Sequence, residues 1–163
     1  MTTLSRTEQA MTIDRENKLI LHAVFRIGKG EYILPSETVI QIESFVGATF
    51  VPGAPAFVAG IVQIRGRVVP LVDMRIRFGQ PPTEPTLDSR IVVGQQGERL
   101  VGLLVDTARE VLKISPADLK PPPHMLDDQA GGFIKAVAQV GPRLLMLIDF
   151  AKVIGEELVD AAQ

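Results

Sequence analysis

Two stretches of this chain lie over one another without a gap, and that echo limits its fold more than any other feature. Gly60 to Asp73 reads GIVQIRGRVVPLVD and Ala136 to Asp149 reads AVAQVGPRLLMLID; Gln63 stands over Gln139, Arg67 over Arg143 and Asp73 over Asp149, and nearly every apolar position coincides. Upstream, TVIQI (Thr38 to Ile42) lies over EVLKI (Glu110 to Ile114). Each copy is a pair of short apolar runs about a turn, the pattern of a β-hairpin. In the first copy Ile61 to Ile64 and Val68 to Val72 flank Arg65-Gly66-Arg67; in the second, Ile134 to Val140 and Leu144 to Ile148 flank Gly141-Pro142. A hairpin unit repeated in this way predicts a duplicated small barrel.

The remaining segments fit the same plan. Leu19 to Ile27 turns through Gly28-Lys29-Gly30 into Tyr32 to Leu34, and Val39 to Ile42 follows Pro35-Ser36. Ile91 to Val93, Leu100 to Val105 and Val111 to Ile114 supply the second half, after a proline-rich linker at Gln80 to Pro85. Short strands at close spacing, broken by glycine and proline, predict an all-β sandwich or barrel. A closing helix is expected over Phe150 to Val159 with Asp149 as its N-cap. The expected organisation is a flexible lead-in over 1–18 and one domain over 19–159. Its two repeats cover about 19–79 and 88–159, with strands open to exchange between the barrels.

Chemistry is sparsely provided. The 163 residues include no cysteine, which removes disulfides, thiolate metal sites and cysteine nucleophiles together. The two histidines, His22 and His124, lie in a strand and in a loop after Pro121-Pro122-Pro123, with no metal-ligand spacing. Asp73, Asp106 and Asp149 each follow an apolar strand, where a carboxylate-based enzyme would hold its acid and base. Recurrence of Asp73 and Asp149 at matching points favours a structural reading, in which each accepts backbone N–H groups at a turn or helix start. Gly66 likewise reads as a structural turn residue.

Lys and Arg number 17 against 19 Asp and Glu, with no basic block, which counts against nucleic-acid binding by a small β-barrel. The longest apolar runs are of strand length, far below the roughly 20 residues of a membrane-spanning helix. A cofactor-free, non-enzymatic, cytoplasmic protein-binding module is the expectation, with no nucleic-acid partner and no direct membrane insertion.

The segment Pro52 to Phe78, PGAPAFVAGIVQIRGRVVPLVDMRIRF, resembles the CheW family of bacterial chemotaxis coupling proteins. Pro52, Ala54, Pro55, Gly60, Arg65, Gly66, Pro70 and Asp73 all fall on that family's pattern. The likeness continues through Tyr32 to Ile42, SRIVVG (Ser89 to Gly94), VGLLVDTAREVL (Val101 to Leu112) and LLMLIDFAKVI (Leu144 to Ile154). The resemblance implies two SH3-like five-stranded β-barrels packed on a shared core, with a short C-terminal helix.

It also implies a non-catalytic adaptor that couples chemoreceptors to a CheA-type histidine kinase. One contact would be with the kinase regulatory domain and another with the helical-hairpin signalling tip of the receptor. The adaptor would be recruited to membrane-associated receptor arrays. Carried over by residue, the resemblance gives protein-binding roles to Val39, Gln41, Gly60, Arg65 and Gly102. Gly60 would let a partner's backbone approach, and Gly102 would lie beside the groove. Gln41 departs from the pattern, which usually has glutamate there, and a neutral amide forfeits an ion pair with a cationic partner. That departure implies either altered partner choice or a paralogue serving pilus motility or a second-messenger pathway.

Overall fold

The computed structural model describes residues 18–124 and 132–155. Residues 1–17 of the expected lead-in and the part of the expected helix beyond Gly155 lie outside the described residues. The strands are β1 (Ile20–Ile27), β2 (Gly30–Pro35), β3 (Val39–Ser44), β4 (Val58–Ile64), β5 (Arg67–Asp73), β6 (Arg90–Gln96), β7 (Arg99–Val105), β8 (Thr107–Ile114), β9 (Leu119–Lys120), β10 (Ile134–Val140) and β11 (Arg143–Ile148). Two short helices, α1 (Met74–Arg77) and α2 (Phe150–Ile154), follow β5 and β11.

The strands form two curled sheets, ordered β8-β1-β2-β11-β10-β9 and β3-β6-β7-β5-β4. Each half of the chain sends its leading hairpin into the other half's sheet. The hairpin β1–β2 joins β8, β10 and β11, and β6–β7 joins β3, β4 and β5. Within a sheet, antiparallel hairpins form locally, and each sheet joins the halves twice: once antiparallel, β1 with β8 or β3 with β6, and once parallel, β2 with β11 or β5 with β7. Parallel pairing needs a long connection: between β2 and β11 the chain passes through the whole of the opposite sheet, and between β5 and β7 it passes through α1, the proline-rich linker and β6. Pro70, which has no N–H to offer, sits just before the β5–β7 ladder begins at Leu71.

Alternation then sorts the side chains. Val24, Ile33, Ile114, Ala138 and Leu145 fill the first barrel, and Ile64, Val69, Leu71, Ile91 and Val93 fill the second. The opposite faces meet in a third and larger core between the barrels, with Phe25, Tyr32, Phe78, Leu103, Phe150 and Ile154 among its buried members. Burying a side chain of this size stabilises by about 1.5–3 kcal/mol. This shared core therefore holds both barrels in one unit.

The duplication seen in the sequence recurs in detail. Both β4 and β10 carry a register shift at matching points, Val58/Gly60 and Ile134/Ala136. Asp73 N–H donates to Phe57 O at 2.7 Å, and Asp149 N–H donates to Phe133 O at 2.8 Å. Asp73 then caps α1 by accepting from Arg75 and Ile76, and Asp149 caps α2 by accepting from Lys152.

Two charged groups tie these parts together. Asp106, at the crossing from β7 to β8, accepts the Gly28 N–H of the β1–β2 turn at 2.8 Å and a bidentate pair from Arg75 of α1 at 2.9 and 2.6 Å. One carboxylate thus braces both barrels where the chain passes between them. At the mouth of the first barrel, Arg143 on β11 bonds Glu31 on β2 and Glu110 on β8. Its hydrogen bond holds the Glu110 carboxyl below the ordinary range.

Asp106→Ala would strand a guanidinium and a backbone N–H, and it should lower stability by about 1–3 kcal/mol in chemical denaturation. At Glu110 the folded pKa is depressed, so its contribution is present above the unfolded value and is lost as pH falls through the folded one. Glu110→Gln should therefore melt below the parent at neutral pH, and the two melting temperatures should converge as the solution is acidified.

Candidate protein-docking surface

The β4–β5 hairpin turns on two residues in the left-handed region, Arg65 at φ 51° and Gly66 at φ 78°. That pair of angles suits the twist of a two-residue hairpin loop, for which asparagine and glycine are the favoured residues. Arginine there costs on the order of 1–2 kcal/mol. Arg65 is also exposed and makes no ion pair with a described residue. A strained, unpaired cation at an exposed tip contributes nothing to folding, and such strain marks sites kept for another purpose.

Beside this hairpin lies an open groove of about 780 Å³. Glu43, Ser44, Val46 and Thr49 line one side, and Ile61, Val62, Ile64 and Val68 line the other. The groove exists because the second barrel is closed between β3 and β4 only by the isolated bridge Thr49↔Ile61. Two of its lining side chains are large, apolar and left out by folding, Val46 at 94% and Val68 at 57% exposed, and Phe50, next to the lining Thr49, is 74% exposed. Exposed apolar side chains occur elsewhere on the molecule as well, but here they line a groove, the setting in which such a patch suits a protein partner.

Val39 and Gln41 lie on β3 at one edge of the sheet, Gly60 lies on β4 at the other edge, and Gly102 is central on β7. Val39 packs partly buried against the shared core. Gln41 and Glu43 share the opposite face of β3, in register with Val93 and Ile91. The Gln41 amide donates to the Glu43 carboxylate, while the Gln41 Oε1 is buried without a hydrogen-bond partner.

The two glycines act inside the fold. At Gly60, with φ 147°, an added Cβ would lie 2.4 Å from Thr49 O, so the backbone it admits is the chain's own. At Gly102 a Cβ would lie 2.8 Å from Ile91 Cγ2, within the buried packing of β7 against its neighbours. Neither glycine offers surface to a partner; each shapes the sheet that carries the surface residues. Gly66, by contrast, has open space around it and serves the turn angle alone.

A second cleft, of about 210 Å³, contains Asp73, Arg75, Glu84, Asp88 and Asp106. Three of its carboxylates are engaged, Asp73 with the α1 cap, Asp106 with Arg75, and Asp88 with Arg109, and Glu84 is exposed. His22 is buried in β1 with Nδ1 2.9 Å from Ile20 O, and His124 is exposed, in helical conformation after the three prolines and not in the expected loop. Among the described residues, no three His, Asp or Glu side chains converge to hold a metal ion. A third hollow of about 250 Å³ follows the seam between the barrels, lined by Leu34, Thr38, Gln96, Leu147 and Phe150.

Sequence reasoning passed over Val46, Phe50, Val68 and Glu43. Val68 was recoverable, since it pairs with Gln63 across the hairpin and directly opposed residues share a face. A polar Gln63 facing water puts Val68 there too. Val46 and Phe50 sit in an irregular segment with no alternation to read.

Residues 22–158 match the model of the CheW-like domain. The chain is 36% identical over 138 residues to a chemotaxis protein CheW of Rhizobium meliloti, covering 85% of this chain and 89% of that one. It is 31% identical to protein FrzA of Myxococcus xanthus over 134 residues, 80% and 82% of the respective chains. The crystal structure of the scaffolding protein TtCheW from Thermoanaerobacter tengcongensis superposes with a TM-score of 0.78 at 26% identity, covering 86% of this chain and 93% of that one.

Gly60→Ala should cost about 2–4 kcal/mol, because it combines a forbidden φ with a backbone clash. The melting temperature should then drop on the order of 10 °C. A variant that melts with the parent would show that Thr49 does not seat on β4 in solution.

Proposed function

The chain belongs to the CheW-like domain family and is a chemosensory coupling adaptor, and on that premise we propose that it joins chemoreceptors to the regulatory domain of a CheA-type histidine kinase. The observation that carries this reading is the surface of the β3–β7 barrel. It keeps Val46 and Val68 exposed along a groove, with Phe50 exposed next to the lining Thr49, and the groove's hairpin ends in the strained Arg65, which pairs with no described residue. The kinase regulatory domain docks on that barrel, its own apolar surface covering the three side chains and an acidic group meeting Arg65. The receptor's helical signalling tip lies along the seam between the barrels, next to Val39, as an apolar helix does in a groove.

The adaptor performs no chemistry of its own. What supports this is the engagement of Asp73, Asp106 and Asp149 in caps and braces, which leaves none of them available as an acid or base. Among the described residues no helix is long and apolar enough to cross a membrane, so recruitment to membrane-associated arrays would run through the receptor. Gln41, in place of the family's usual glutamate, favours a second reading of the pathway: a coupling paralogue with an output other than flagellar swimming. Pull-downs against each CheA-type kinase of the host separate the two.

Arg65→Glu and Val68→Asp should each weaken binding to the kinase regulatory domain, by about tenfold or more, and should lower receptor-stimulated kinase activity. Circular dichroism should show an unchanged β-rich fold. Arg65→Asn is expected to raise the melting temperature by a few degrees through relief of the turn, while still weakening coupling. Full kinase activation by both Arg65 variants would remove Arg65 from the coupling surface.

A further inference from the structure

The groove on the β3–β7 barrel carries one charge that the fold does not use. We propose that Glu43 selects the kinase partner, by pairing with a guanidinium or ammonium group on the kinase surface that lies against β3. This inference rests on the docking surface proposed above and names the chemistry that confers its specificity.

Three observations lead to it. β3 is an edge strand, hydrogen-bonded to β6 alone, so a partner can approach along it without displacing another strand. Glu43 projects from that edge onto the groove, exposed, with no cation among the described residues paired to it. Its carboxylate is nevertheless oriented, since the Gln41 amide one pleat away donates to it.

Gln41 spends its donor on Glu43 and leaves its own Oε1 buried without a partner. A side chain free to choose would turn that oxygen to water. The arrangement turns the Glu43 carboxylate toward Gln41 at the rim of an apolar wall made by Val46, Ile61 and Val68. A fixed charge at the edge of an apolar contact sets register, accelerates encounter with an opposite charge and rejects partners lacking it. The matching partner therefore presents an apolar patch with arginine or lysine at its border.

The test is binding of the full chain to the kinase regulatory domain at low and high salt, with Glu43→Gln, Glu43→Lys, Gln41→Leu and Val68→Asp compared. Glu43→Gln should weaken binding about tenfold at low salt and reduce its salt dependence, and Glu43→Lys should weaken it further. Gln41→Leu keeps the charge but frees the carboxylate, and it should give a smaller loss. Reversing the partner's border cation to glutamate should restore binding to Glu43→Lys. If Val68→Asp abolishes binding while both Glu43 variants bind as the parent does, the inference is overturned and the docking surface stands. If Val68→Asp has no effect, the docking surface itself is wrong and the inference falls with it. Loss of receptor-fragment binding without loss of kinase binding in Glu43→Lys would also overturn it.

Discussion

Four ladders between the halves, antiparallel β1 with β8 and β3 with β6 and parallel β2 with β11 and β5 with β7, hold the molecule together, because neither half of the chain can close a barrel from its own strands. Each half contributes a hairpin that finds its partners only in the other half. The apolar faces of β1–β2 and β6–β7 would remain in water until both halves are present. The exchange thus makes two barrels one cooperative unit, and it forces their outer faces together to form the shared core. Everything on the surface is placed by that core, since the angle between the barrels sets both the seam and the outward direction of each hairpin.

That angle is fixed by a small number of polar groups. Asp106 reaches the β1–β2 turn of one barrel and α1 of the other from the point where the chain crosses between them. Arg77 lies over the rings of Phe57 and Phe133, which occupy equivalent places in the two repeats, at 3.8 and 4.8 Å from their centroids. It also donates to Val153 O and Lys152 O of α2, while Arg99 donates to Gly155 O just beyond. Guanidinium groups suit these positions because their planar forks can stack on a ring and bond carbonyls at once. Burial of the packed rings alone would leave the barrels able to slide; these directional bonds remove that freedom.

Much of this was legible in the residues. The ungapped echo of Gly60–Asp73 in Ala136–Asp149 revealed the duplication, and alternation with glycine and proline breaks located the strands. The closing helix was legible as a helix with Asp149 before it. What local pattern could not reveal was the role of residues whose partners are remote in sequence. Asp106 reads as one more aspartate after a strand, yet it bonds a glycine on β1's turn and an arginine on α1. Gly60 reads as a gap for a partner, yet the backbone filling that gap is Thr49 of the same chain. The docking groove was hidden for the same reason: its walls come from β3, an irregular segment and the β4–β5 hairpin, which only the curl of the sheet brings together.

A duplicated fold offers two copies of every surface, so function should be sought where the copies differ. The first barrel is sealed: β9 adds two paired residues to β10, and Arg143 is clamped by Glu31 and Glu110. At the equivalent place in the second barrel, Arg67 reaches only the Glu98 carbonyl, at 3.3 Å, and a single bridge stands where β9 would be. The turn of one hairpin is Gly141-Pro142, while the other is Arg65-Gly66 with arginine in a glycine's conformation. The first two differences leave the β3–β7 barrel more open than its twin, and the third places strain at its hairpin tip. The second barrel lacks the residues for the same clamp, since Thr38 stands where the other copy has Glu110. The retained opening, with its exposed valines and strained arginine, is consistent with one repeat kept for the core and the other for a partner.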